Sequence, residues 1–138
     1  MYLYHLTPTR IYDNHIKQEG LVPQPIDPGY HDETPDKAIF CWPDYDDHMI
    51  KDWIVFSKLK NRNKDDDYIL LKIKVPRKVV SSKYEYAHTL TTQVTGSHGI
   101  TEYTPHDQIP CRLVTAPVPP ENITPVLAIS TYRAEEIK

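Results

Sequence analysis

Apolar positions along the chain fall in short blocks that change period several times. Tyr2–Leu6 is aromatic and apolar and predicts a short strand, broken by Thr7-Pro8-Thr9. Thr9 suits a helix N-cap, Ile11 and Ile16 stand among polar neighbours through Glu19, and Gly20 sits where a helix-ending glycine belongs. This predicts an amphipathic helix over 10–19, followed by an extended Leu21-Val22-Pro23. Residues 24–36 are rich in Pro, Asp and Gly and read as a long loop, a feature often tied to function in compact domains. Lys37–Trp42 reads as a buried strand ended by Pro43. Asp44 or Asp46 then caps a second helix, with Met49, Ile50, Trp53, Ile54 and Phe56 as its apolar face to about Lys60.

A charged turn over 61–67 leads into the clearest strand, Tyr68–Val75, apolar on both faces at first and alternating later. Val79-Val80, residues 84–86, 100–103 and 111–115 are further extended pieces, while 89–99 shows no clear pattern. A rigid Ala116–Pro120 run and a turn precede a last strand, Val126–Ser130, and a polar tail. Strand, helix, strand, helix, then mostly strands is an α+β order. No repeat, low-complexity tract or linker divides the chain, so 1–138 is expected to be a single domain.

Composition narrows the picture. A chain of 138 residues, 39% hydrophobic and 25% charged, is globular in type. It buries roughly two-thirds of its unfolded surface, enough to fold without a metal or disulfide. No apolar run approaches the ~20 residues of a membrane span. The start, Met1-Tyr2-Leu3-Tyr4-His5, lacks a basic region followed by an apolar stretch, so a cytoplasmic protein without a signal peptide is expected. Cys41 and Cys111 read as reduced, buried thiols, and no close ligand pair favours zinc. A net charge of −3 gives no overall footprint for nucleic acid. Thirteen prolines cut the chain into short elements, and ten tyrosines offer flat surfaces for a core or a stacking pocket.

The motif order carries a resemblance. Tyr4-His5-Leu6-Thr7, a short helix, and Glu19-Gly20-Leu21-Val22-Pro23 resemble the start of proteins with the ADP-ribosyltransferase fold. Ala38-Ile39-Phe40-Cys41-Trp42-Pro43-Asp44 is similar to that class's second strand and acidic helix start. Pro117-Val118-Pro119-Pro120-Glu121-Asn122-Ile123 resembles its proline-rich turn into the last strand. The resemblance spans most of the chain and matches no single subfamily. It implies two small, mostly antiparallel sheets around an NAD-binding cleft, flanked by short helices. It also implies an enzyme that cleaves NAD, as its substrate, and transfers ADP-ribose to a macromolecular acceptor, protein or nucleic acid.

That chemistry needs few groups. Breaking the nicotinamide–ribose bond develops positive charge on the ribose, so an enzyme orients the ribose, holds the nicotinamide amide and places a carboxylate near the cation. His5 suits the first task, because an imidazole hydrogen-bonds a ribose hydroxyl. The resemblance implies that the Leu6 backbone, beside Thr7, binds the nicotinamide amide. It also implies an aromatic stacked on the nicotinamide, with Phe40, Trp42, Tyr45 and Tyr30 as candidates. The class places its glutamate shortly before the proline-rich turn, where this chain has Cys111-Arg112. Glu102 is the nearest glutamate and serves if 104–110 is an insertion; Ser97-His98-Gly99 before it would form an acceptor loop, and Glu121 is the next candidate.

Two other functions compete. An RNA 2′-phosphotransferase-like enzyme on the same fold would want several arginines around a phosphate, and the chain offers Arg10, Arg62, Arg77, Arg112 and Arg133. A non-enzymatic interaction or inhibitor protein would dock through its Pro and Tyr surface. Lys51, Lys58, Lys60, Arg62 and Lys64 form a basic cluster with Asp65-Asp66-Asp67 interspersed, an ordinary mixed surface. His88, His98 and His106 have no diagnostic spacing.

Overall fold

The computed structural model describes residues 1–25, 37–47, 49–51, 53–54, 67–81, 112–130 and 133–137. Among the described residues the strands are β1 (Tyr2–Pro8), β2 (Gln24–Pro25), β3 (Lys37–Cys41), β4 (Asp67–Lys74), β5 (Arg112–Val114), β6 (Ile123–Ser130) and β7 (Arg133–Glu136). A helix, α1, follows β1 as an α turn Thr9–Ile11, a π turn Tyr12–Ile16 and an α turn Lys17–Glu19. A second helix, α2, includes residues 47, 49–51 and 53–54.

Two antiparallel sheets result, one ordered β1-β4-β6-β7 and one ordered β2-β3-β5. Among the described residues one backbone pair joins them. The N–H of Tyr4 donates to the Trp42 carbonyl and the N–H of Trp42 to the Tyr4 carbonyl, each at 2.8 Å. The expected α+β class and pair of small sheets are therefore present.

The strands' two-residue period builds a core on each side of the sheets. Ile69, Leu71 and Ile73 of β4 join Leu3, Ile39, Cys41 and Val114 in one cluster. Tyr68 and Leu70 join Ala38, Trp42, Leu113 and Leu127 in the other. β4 is buried on both faces, as its continuous apolar run predicts. Each face of it buries several large side chains, worth roughly 1.5–3 kcal/mol apiece. Cys41 is a buried thiol; Cys111 lies outside the described residues.

Element boundaries differ from expectation in instructive ways. β1 runs on through Thr7 and Pro8, which pair with Ile69 and Tyr68. Pro8 is tolerated because its missing N–H lies on the strand edge away from β4. Thr9 is consequently the first helical residue; Pro8 occupies the N-cap without a side-chain bond. Asp46 caps α2, accepting the Met49 N–H at 2.8 Å, while Asp44 accepts only the N–H of Tyr45. β6 begins at Ile123 and contains Pro125; opposite Leu70 and Leu71 the register skips from Leu127 to Pro125, a bulge that absorbs the proline. The expected polar tail is β7, an edge strand carrying Glu135 and Glu136. Phe56 and the expected strands at 84–86 and 100–103 lie outside the described residues.

Gly20 ends α1 with φ 82° and ψ −172°, a backbone region essentially restricted to glycine. A Cβ there would lie 2.1 Å from the Val118 carbonyl oxygen. The next residue, Leu21, exchanges two 2.9 Å backbone bonds with Val118, so the helix end is pressed onto the proline-rich 117–120 turn. The two sequence motifs that bracket the chain are thus in direct contact. Among the described residues no helix is long and apolar enough to cross a membrane.

Candidate functional site

Beyond Tyr4 and Trp42 no further backbone pair joins the two sheets among the described residues, and His5 stands at the break. In an antiparallel ladder the hydrogen-bonded pairs recur every second residue, so Leu6 and Phe40 would form the next pair. The Phe40 carbonyl instead lies 2.7 Å from the Nδ1 of His5. A carbonyl only accepts, so Nδ1 carries the proton and donates. The imidazole thus stands between the strands and closes the ladder with a side chain.

This has two electrostatic consequences. Burial pushes the His5 pKa down, and the Phe40 carbonyl, which favours the charged form, offsets only part of that. The ring is therefore neutral at pH 7, with Nε2 as a lone-pair acceptor. The alternation of β1 also turns the Leu6 N–H and C=O to the same side as those of Tyr4, away from β4 and toward the split.

A cleft of about 630 Å³ opens beside this split. His5 and Thr7 line it from β1; Arg10, His15 and Glu19 from α1; Gln24 from β2; Ala38, Ile39 and Phe40 from β3. Gly20, Leu21 and Val22 complete it after the helix. Its volume is within the range of small-molecule sites.

The residues singled out from sequence divide between the two sides of the sheets. His5 and Thr7 share a cleft wall, and Phe40 contributes the carbonyl that holds His5. The side chains of Leu6, Phe40, Trp42 and Tyr45 belong to the opposite core. Trp42 is 3% exposed and packs edge-on against Trp53, with ring centroids 4.8 Å apart. Tyr45 packs edge-on against Tyr4 at 4.8 Å. Its hydroxyl pKa is raised, first by burial and then by Tyr4, Glu136 and Asp44, with Lys72 opposing. Neither Trp42 nor Tyr45 lines the cleft. Glu121 is exposed in the turn Pro120–Asn122. Glu102, Tyr30, the 97–99 segment, the lysines beyond Lys51 in the basic cluster, and His88, His98 and His106 lie outside the described residues.

Sequence reasoning weighed Arg10 only among five scattered arginines for a phosphotransferase and passed over His15 and Glu19 as site residues. The available signal is the pairing of Arg10 with His15 and of Ile11 with Ile16, each five residues apart, which an α-helical reading does not group on one face. Among the described residues no group of three His, Cys, Asp or Glu side chains is arranged for a metal. Comparison with protein-family models, with curated proteins and with solved structures finds no match in any of the three.

Proposed function

We propose that the chain is an ADP-ribosyltransferase that binds NAD as a substrate in this cleft and passes ADP-ribose to a macromolecular acceptor. The observation that carries the reading is the His5–Phe40 bond at the separation of the two sheets. It supports the reading in three ways. It fixes a neutral imidazole with one acceptor nitrogen, suited to a ribose hydroxyl. It takes the Phe40 carbonyl that the Leu6 N–H would otherwise use. That leaves Leu6 to offer one N–H donor and one C=O acceptor, the complement of a planar carboxamide such as that of nicotinamide. Thr7 adds a hydroxyl on the same wall.

The reading requires a carboxylate to balance the charge that develops on the ribose. Glu102 is proposed for that role. Among the described residues Glu19 is the acid that lines the cleft, and it is the alternative position for the charge. The nicotinamide-stacking group in this reading is not Trp42 or Tyr45, whose rings are committed to the far core.

The test is release of free nicotinamide from NAD by the purified protein, with a cell lysate supplying acceptors. Wild type is expected to release it. Glu102→Gln, which keeps the shape and removes the charge, is expected to lose on the order of 10²–10³ in rate while NAD affinity stays within a few-fold. Full activity in Glu102→Gln and loss in Glu19→Gln would move the catalytic charge to the helix. Absence of nicotinamide release from wild type under all these conditions would remove the transferase reading.

A further inference from the structure

The cleft wall made by α1 has chemistry that the His5 end lacks. Arg10 and His15 both line it. In an unbroken α-helix, five residues turn about 500°, leaving two such side chains roughly 140° apart. The turn Tyr12–Ile16, which follows Arg10 and contains His15, is π, with more residues per turn. It brings Arg10 and His15 round to one side. Ile11 and Ile16 obey the same five-residue spacing, and both pack against one core cluster. The local irregularity therefore places a guanidinium and an imidazole over the same concavity, with Thr7 on the facing strand. π turns inside α-helices recur at functional sites for this kind of reason.

We infer that Arg10, His15 and Thr7 form an anion subsite for a phosphate-bearing ligand, and specifically for a diphosphate. A guanidinium supplies paired N–H donors that match two phosphate oxygens, and the imidazole N–H and the hydroxyl add single donors. Glu19, on the last turn of α1, lines the cleft as well and repels an anion. It confines the diphosphate to the Arg10 end and leaves its own end to the hydroxyl-bearing part of the ligand. The choice of a diphosphate rests on the NAD reading above; the anion subsite itself rests on the helix.

Calorimetric titration of inorganic pyrophosphate into the full chain, at low and at moderate salt, tests this directly. Wild type is expected to bind it, more weakly as salt rises. Arg10→Gln should weaken binding about tenfold or more, as for loss of a charge-assisted hydrogen bond. His15→Gln should weaken it less, and Glu19→Gln should tighten it. Lys17→Gln removes the same charge as Arg10→Gln from the same helix at an exposed residue off the cleft; it should leave binding within about twofold. No pyrophosphate binding by wild type, or equal losses in Arg10→Gln and Lys17→Gln, overturns the inference. Nicotinamide release is independent of this assay. A protein that binds pyrophosphate without cleaving NAD keeps the subsite and loses the transferase, and the reverse result does the opposite.

Discussion

The imidazole Nδ1 of His5 and the carbonyl oxygen of Phe40, 2.7 Å apart, join β1 and β3 at the point where their backbones stop pairing. Tyr4, one residue before His5, and Trp42, two residues after Phe40, exchange both ladder bonds. One side chain thus marks the end of the shared ladder and the mouth of the cleft.

Replacing His5 by Phe keeps a ring but removes the hydrogen bond that His5 donates to the part-buried Phe40 carbonyl. The expected cost is about 0.5–1.5 kcal/mol, the net worth of such a bond. Urea unfolding of the two proteins measures it, and a change below experimental error would mean the bond does not secure the split.

The pH dependence follows from the depressed His5 pKa. In the unfolded chain the histidine takes up a proton near its ordinary value of about 6.5; in the folded protein it does so only at lower pH. The unfolded state therefore binds more protons in that window, and stability rises with pH through it. The contribution is fully present above about 6.5 and is lost as pH falls toward the folded-state value. Thermal unfolding from pH 4 to 8 should show a wild-type decline on the acid side that His5→Gln lacks. Cleft ligands that use Nε2 as an acceptor should weaken over the lower part of the same range, where the folded ring protonates.

Gly20→Ala places a methyl group 2.1 Å from the Val118 carbonyl in a backbone conformation that L-residues avoid. The backbone alone costs on the order of 1–3 kcal/mol, and relieving the overlap requires α1 to move off the 117–120 turn. Chemical denaturation should show a loss at or above that range. Because Gly20 also lines the cleft, pyrophosphate affinity should fall together with stability.

At the other helix, Asp46→Ala removes the side-chain acceptor for the Met49 N–H. A loss of about 0.5–2 kcal/mol is expected. Asp44→Ala touches only the N–H of its immediate neighbour and should cost clearly less. Equal losses would show that α2 is not capped as described.

Much of this arrangement was legible in the residues. The apolar run 68–75 and the aromatic start at 2–6 identified β4 and β1, and Gly20 marked the end of α1, because each signal is local. What depends on which way a side chain faces was harder. Phe40 and Trp42 stand near His5 in the fold, yet the two-residue period sends their rings to the opposite core. Arg10 and His15 were invisible as a pair because their spacing fits no α-helical face; only the π turn unites them. β7 read as a tail because Arg133–Glu136 is almost wholly charged, a composition that suits an exposed sheet edge.

The most direct test is an NAD titration followed through the ring nitrogens of His5 by ¹⁵N NMR at pH 7. The account predicts a neutral ring with the proton on Nδ1 throughout, and a saturable shift of Nε2 as the ribose hydroxyl donates to it. A proton on Nε2 in the free protein, or a His5 spectrum unmoved by NAD at millimolar concentration, would contradict it.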